Sequence, residues 1–221
     1  MGITLNLKQV SPYVLEKIKK YPDLAGLFLD AKYLEDSPFW QEFTIIERDE
    51  IDWFHEAINF VQERLDKFQK DKTEEFEKIK DDIPLIINEG KSEYLDLDKM
   101  WQSIIFLLTG YDFYDQALYL SQLVVSQNPE DNLPLIRAVM GSNGIEHDER
   151  DYPLLYFSDD EVKKIANALS SFSIETIRKR LQFRGLEEDR YHHLYEYAYN
   201  PLVRYYQDAA EKGNAMFLHF G

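Results

Sequence analysis

Three residues have side chains and surroundings that suit ligand chemistry. Arg137 stands in an apolar segment, between Ile136 and Ala138, and a buried arginine needs a carboxylate partner. His219 lies in the apolar run near the end of the chain, and Trp101 offers a large aromatic face. We therefore predict Trp101, Arg137 and His219 as candidate ligand-binding residues. The competing interpretation is structural: an ion pair for Arg137, a core or rim position for His219, and the core for Trp101.

The sequence lacks the motifs of the common catalytic and metal chemistries. It contains no cysteine, which excludes disulfides, thiolate nucleophiles and thiolate metal sites. The zinc motif HExxH is broken, because Asn59 stands where a second histidine would follow His55. His192 and His193 are adjacent, so on a helix they would point about 100° apart and could not share a metal. The acids around His147 do not follow the calcium-loop pattern. We predict no metal site and no cofactor.

Charge restricts the partners that the chain can bind. There are 41 acidic and 25 basic side chains, which give a net charge of −16. Such a surface repels phosphate, so nucleic acid and acidic membranes are disfavoured, whereas a basic protein would be attracted. No apolar run approaches the roughly 20 residues of a membrane span, and the N-terminus does not resemble a signal peptide. We expect a cytoplasmic protein; the sequence gives no indication of its oligomeric state.

Hydrophobic periodicity predicts helices that alternate with a few strands. Residues 3–10 alternate, with Thr4, Asn6 and Lys8 on the polar face, and residues 153–157 and 214–220 are two further apolar strands. We predict that the three strands share one sheet. Residues 141–151 are predicted to be a loop. Ser158 and Glu161 form the pattern of a capping box that begins a helix.

A longer helical signal covers residues 51–83. Apolar residues recur there three and four apart, with charges between them, and the pattern slips near Lys72. Two interpretations are open. The segment is either a coiled-coil docking arm or one or two helices packed on their own domain, and the short length of the regular pattern favours the second.

Several blocks of the sequence resemble a known family. The matching blocks are Met1-Gly2-Ile3, Val10-Ser11-Pro12, Leu95-Asp96-Leu97-Asp98-Lys99 followed by Trp101, Leu107-Leu108-Thr109-Gly110, Phe157-Ser158-Asp159-Asp160-Glu161-Val162, and Gly213-Asn214-Ala215. These blocks resemble the YfbM-like family, bacterial proteins of unknown function. The resemblance implies one domain over residues 1–221, with helical insertions at about 36–92 and 111–132. It implies no reaction, and Ile105 stands where family members often have a histidine.

The combined prediction is a helix-rich single α+β domain with a small mixed β-sheet. For function we predict a non-catalytic, acidic protein-binding module, of which inhibitors or immunity proteins of basic toxins are one example. The alternative is an enzyme, independent of thiols and metals, that acts on a small molecule through a site of His, Asp and Arg.

Overall fold

A computed structural model of the protein describes residues 3–43, 54–109, 138–139, 141, 143–146, 153–183 and 192–221. The α-helices in these residues are α1 (Pro12–Lys20), α2 (Leu24–Asp30), α3 (Phe54–Asp71), α4 (Thr73–Ile79), α5 (Ile83–Gly90), α6 (Trp101–Thr109), α7 (Asp159–Ser171), α8 (Ile174–Phe183) and α9 (Asn200–Lys212). The strands are β1 (Leu5–Val10), β2 (Tyr94–Asp96), β3 (Asn143–Ile145), β4 (Leu154–Phe157) and β5 (Ala215–Phe220). The predicted helix-rich α+β class is confirmed.

The strands form one sheet in the order β2-β1-β5-β4-β3, so the first and last strands of the chain are neighbours near its centre. This confirms that the three strands predicted from the sequence share one sheet. The sheet is antiparallel, with Tyr156 of β4 opposite Phe217 of β5. The sequence analysis predicted a mixed sheet instead, because an apolar pattern does not encode the direction of a strand. Strand β3 also lies inside the stretch that was predicted to be a loop; at three residues it is too short to show a period.

Local sequence signals set three of the helix ends, including the capping box predicted at Ser158 and Glu161. The hydroxyl of Ser11 accepts the Val14 N–H at 3.2 Å, and Pro12 occupies the first turn of α1, where no N–H is needed. At the start of α7, both halves of the capping box form: the Ser158 hydroxyl accepts the Glu161 N–H, and the Glu161 carboxylate accepts the Ser158 N–H. Gly213 ends α9 in the left-handed conformation, with φ 69°.

The chain divides into two compact units. The first contains Met1–Leu7, Leu95–Gly144 and Leu155–Gly221, and the second contains Lys8–Tyr94 and Ile145–Leu154. The core of the first unit is an apolar cluster to which β5, α6, α7 and α9 all contribute. Two of its largest members are Phe157 and Tyr206, and neither is exposed to solvent. The prediction of one domain over residues 1–221, with insertions at about 36–92 and 111–132, stays a prediction.

Helix α2 is the centre of the second unit. All seven of its residues are buried, and it packs against α3 and α5. Helix α3 contributes the buried side chains of Ala57, Val61 and Phe68. The helical signal of residues 51–83 is thus at least partly explained by packing within the unit, as the second interpretation proposed, and the slip at Lys72 is the break between α3 and α4. Among the described helices, none is both long and apolar enough to cross a membrane.

The glycine that ends α9 gives a clean test of backbone conformation. A Cβ added at Gly213 would meet no atom within 4 Å, so Gly213→Ala changes only the conformational preference of the chain. We expect a loss of about 1–2 kcal/mol in the free energy of unfolding, because left-handed backbone is unfavourable for alanine. Gly213→Asn should lose less, since asparagine tolerates this conformation better. Equal stability of the alanine variant and the wild type in urea melts would contradict the assignment.

Candidate functional site

Trp101 is a core residue of the first unit. It is 5% exposed, and its indole N–H donates to the Ile3 carbonyl at 2.9 Å. Its ring meets the Phe220 ring edge to face, with the centroids 5.5 Å apart. The indole is therefore fixed by one polar and one aromatic contact, and these satisfy both its donor and its apolar face. The structural interpretation of Trp101 is confirmed.

The structure does not bring the three predicted ligand-binding residues together. Successive side chains of a strand point to opposite faces, so His219, next to Phe220 on β5, points away from the face that Trp101 covers. His219 is half-buried there. Arg137 lies outside the described residues. A ligand-binding role for Trp101, Arg137 and His219 stays a prediction.

Two buried tyrosines in the first unit have structural hydrogen bonds. The hydroxyl of Tyr206 donates to the Ala138 carbonyl, and that of Tyr199 donates to the Leu169 carbonyl, each at 3.0 Å. Burial raises the pKa of both phenols above the ordinary value, so both stay protonated donors. Each hydroxyl satisfies a carbonyl in the interior, which is the usual role of a buried tyrosine.

The most unusual polar group belongs to the second unit and was missed by the sequence analysis. Lys8 is only 4% exposed, although the strand alternation placed it on the polar face of β1. Its ammonium nitrogen donates to the Ser92 carbonyl, just beyond α5, at 2.9 Å. The rings of Phe28 and Tyr94 lie 5.7 and 5.9 Å from this nitrogen. Among the described residues, no carboxylate pairs with Lys8.

A second lysine, Lys32, approaches one of the two rings that lie near the Lys8 amine. The nitrogen of Lys32 is 4.7 Å from the centroid of the Tyr94 ring that Lys8 also approaches. Burial, and to a lesser extent the positive charge of Lys32, lower the pKa of Lys8 from 10.5 to about 7. Burial therefore favours the neutral amine of Lys8 over the ammonium. The only sequence signal for it was a lysine inside an apolar strand, which is a common feature of exposed strand faces.

The other buried charge of this unit is paired. Asp30 is 3% exposed, and its carboxylate accepts a hydrogen bond from the guanidinium of Arg64 on α3. A Cβ at Gly26 would lie 2.6 Å from that guanidinium, so the glycine leaves the space that Arg64 needs. This contact follows the rule that buried ions are paired, and Lys8 departs from it.

A group of aromatic side chains borders the surface of the second unit. Trp40 and Ala57 are fully buried, and Tyr33, Phe39, Phe43 and Phe60 pack around them while staying partly exposed. The ring centroids of Tyr33 and Phe39 are 5.4 Å apart, and those of Tyr33 and Phe60 are 6.1 Å apart. The edge-to-face geometry of both pairs holds this group in one arrangement.

Acidic residues are concentrated in the same part of the sequence. Residues 35–63 contain nine acidic side chains and one basic one, Arg48, which is a net charge of −8 and half of the total. Glu56, Phe60 and Glu63 are spaced four and three apart on α3, so they share one side of the helix. Glu35, Glu56 and Glu63 are exposed. We call these three glutamates, with Tyr33, Phe39, Phe43 and Phe60, the acidic aromatic surface.

Within the described part of the chain, no group of three or more histidine, aspartate or glutamate side chains is arranged to hold a metal ion. The predicted absence of a metal site and of a cofactor stays a prediction.

These features define a class: an acidic, helix-rich α+β protein with partly exposed aromatic rings, exposed glutamates in the same segments, and a buried lysine. The chain belongs to the family described as "Domain of unknown function (DUF1877)", whose model matches residues 1–219. It is similar to the crystal structure of YfbM from Escherichia coli, a protein of unknown function, with 15% identity and a TM-score of 0.47 over 97% of this chain and 98% of that one. No curated protein matches the chain.

The core position of Trp101 predicts a large effect of truncation. Trp101→Ala should lower the free energy of unfolding by about 3–5 kcal/mol, because it removes a buried ring and leaves a cavity. Trp101→Phe keeps the contact with Phe220 and loses the hydrogen bond to Ile3, so its loss should be smaller. A loss below about 1 kcal/mol for the alanine variant in denaturant melts would contradict the core assignment.

The burial of Lys8 predicts a pH-dependent stability. The unfolded chain takes up a proton on Lys8 below pH 10.5, whereas the folded chain does so only below about 7. The folded state is therefore progressively disfavoured as the pH falls between these values. As the pH falls from 10.5 to 7, the free energy of unfolding of Lys8→Met should therefore rise relative to that of the wild type by a few kcal/mol in total, at about 1.4 kcal/mol for each pH unit.

The control for this measurement is Lys70→Met, at an exposed position of α3. Its stability difference from wild type should not change with pH. A Lys8→Met difference that is equally flat between pH 7 and 10.5 would show that Lys8 keeps its charge in the folded protein.

Proposed function

We propose that the protein is a non-catalytic, acidic protein-binding module whose partner is a basic protein. The observation that supports this most is the acidic aromatic surface, which combines the exposed side chains of Glu35, Glu56 and Glu63 with four partly exposed aromatic rings. Aromatic side chains are enriched in the centres of protein interfaces, and the rims of interfaces are polar and accessible to solvent. Partly exposed rings with exposed glutamates in the same segments fit that pattern.

The aromatic rings and the glutamates of this surface would contribute to binding in different ways. The rings of Tyr33, Phe39 and Phe60 supply apolar area that is already ordered by ring contacts, so binding would cost little side-chain entropy. Glu35, Glu56 and Glu63 supply charge that accelerates the encounter with a basic partner. An inhibitor or immunity protein directed at a basic toxin is one module of this type.

The alternative function, an enzyme that uses His, Asp and Arg, receives no support from the described contacts. His219 and Trp101 lie on opposite faces of β5. We therefore propose a binding function and not a catalytic one.

Charge reversal of the surface tests the proposal. Wild-type protein and the variant Glu35→Lys/Glu56→Lys/Glu63→Lys should be used in parallel to capture proteins from native lysate. A matched control, Glu175→Lys/Glu196→Lys/Glu211→Lys, changes the net charge equally at exposed positions of the first unit. We expect a basic protein that the wild type and the control capture and the first variant does not.

The association rate of that protein should fall as salt rises from 0.1 to 1 M. The reason is screening, since the Debye length shortens from about 10 Å to about 3 Å over this range. Dissociation should respond less, because charges at the rim act mainly on the rate of encounter. An acidic partner, an association rate that is indifferent to salt, or equal loss of binding in both triple variants would contradict the proposal.

A further inference from the structure

Three aromatic rings of the second unit surround the ammonium group of Lys32. Its nitrogen lies 4.7 Å from the centroid of the Tyr94 ring, 4.9 Å from that of Tyr33 and 5.9 Å from that of Phe39. All three distances are within the roughly 6 Å over which a ring attracts a cation. We call the rings of Tyr33, Phe39 and Tyr94 the aromatic cage. Sets of rings in this arrangement recognise the cationic groups of ligands.

Contacts among the rings and with the backbone hold the aromatic cage in shape. The rings of Tyr33 and Phe39 meet edge to face with their centroids 5.4 Å apart, and the rings of Phe39 and Tyr94 are stacked at 6.4 Å. The Tyr33 carbonyl accepts the indole N–H of fully buried Trp40 at 2.9 Å. A cation that enters the cage therefore meets rings that are already in position, which lowers the entropy cost of binding.

Lys32 is an occupant of the cage that another cation could replace. Lys32 and the three rings around it are all partly exposed, so the cage and its occupant are both in contact with solvent. The Lys32 carbonyl accepts a hydrogen bond from the Ser37 hydroxyl, which fixes the backbone at this residue. A lysine side chain has a flexible stem and a strongly hydrated ammonium, so it can turn from the cage into water while the backbone stays in place.

We infer that the aromatic cage is a recognition site for an arginine side chain of the basic partner, and that Lys32 occupies the cage until the partner binds. This inference rests on the proposed binding function, because Tyr33 and Phe39 also belong to the acidic aromatic surface. A guanidinium is planar and more weakly hydrated than an ammonium, so arginine stacks on aromatic rings better than the lysine that it would replace.

The presence of Lys32 makes the cage selective. Coulomb repulsion disfavours a second cation beside the Lys32 ammonium, whereas a cation that takes its place adds no repulsion. An arginine must therefore displace Lys32, and the free energy of that displacement is subtracted from its affinity for the rings. A partner that also meets Glu35, Glu56 and Glu63 can offset this cost with its other contacts, and a free cation cannot.

Emptying the cage tests the inference. Lys32→Ala removes the occupant, whereas the matched variant Lys32→Met removes only the charge and keeps a side chain of similar length. The probe is N-acetyl-arginine N-methylamide, and its binding is followed by the upfield shifts that aromatic rings cause in its side-chain proton NMR signals. We expect Lys32→Ala to bind the probe at least roughly fivefold more tightly than the wild type and Lys32→Met, because no group must leave the rings first.

Two controls identify the group that is recognised. The corresponding citrulline derivative has the shape of the probe without its charge, and it should not bind Lys32→Ala. The double variant Lys32→Ala/Phe39→Leu lacks one ring and should bind the arginine probe more weakly than Lys32→Ala. Denaturant melts show whether each variant folds, and Lys32→Ala/Tyr94→Leu replaces the double variant if it does not. Equal binding of the arginine and citrulline probes, or equal binding by Lys32→Ala and the wild type, would overturn the inference.

The captured basic protein extends the test to the partner. Tyr94 is not part of the acidic aromatic surface, so Tyr94→Leu changes the cage alone and should speed the dissociation of that protein, whereas Lys32→Ala should slow it. Unchanged dissociation from both variants would overturn the inference and leave the proposed function in place. Capture of no basic protein would contradict the proposed function and the partner named in this inference, while the arginine probe would still show whether the cage binds a guanidinium.

Discussion

The first unit depends on the pairing of the two ends of the chain. Strand β1 lies beside β5, and Thr4 and Gly221 exchange backbone hydrogen bonds of 2.9 and 3.2 Å. The indole of Trp101 joins the same region, since it donates to the Ile3 carbonyl and packs against Phe220. Closing contacts between such distant residues costs chain entropy, which must be recovered by the apolar core that the closure completes. The unit therefore reaches its stability only when its last strand is in position.

Features with a local cause were predictable from the sequence. The capping box of Ser158 and Glu161, the Ser11-Pro12 helix start and the Gly213 helix end each need only a few neighbouring residues, and the structure contains all three. The burial of Trp101 followed from its place on an apolar helical stripe. In each case the residues that cause the structure lie within one or two turns of each other.

Features with a tertiary cause were not predictable. The alternation of β1 correctly separates Leu5 and Leu7 from Lys8, but it cannot tell that the face of Lys8 is covered by Phe28 and Tyr94. The antiparallel direction of the sheet depends on how the connections run, which a hydrophobic period does not contain. The acidic aromatic surface was also missed, because its rings and carboxylates come from two separate segments.

The charges of the second unit fall into three physical situations. Buried Asp30 is neutralised by Arg64, as expected of an ion in the interior. Buried Lys8 has no carboxylate partner among the described residues, and burial lowers its pKa and so favours the neutral amine. Of the carboxylates of residues 35–63, those of Glu35, Glu56 and Glu63 are exposed to solvent.

Hydrogen–deuterium exchange of the protein with and without its captured basic partner tests the central claim most directly. Backbone amides become protected where a partner covers the chain, so the experiment locates the interface without a substitution. The account predicts new protection in residues 33–43 and 56–63, weakened by added salt, and unchanged exchange in α9. Protection confined to α9 or other parts of the first unit, with residues 33–43 and 56–63 unchanged, would contradict it.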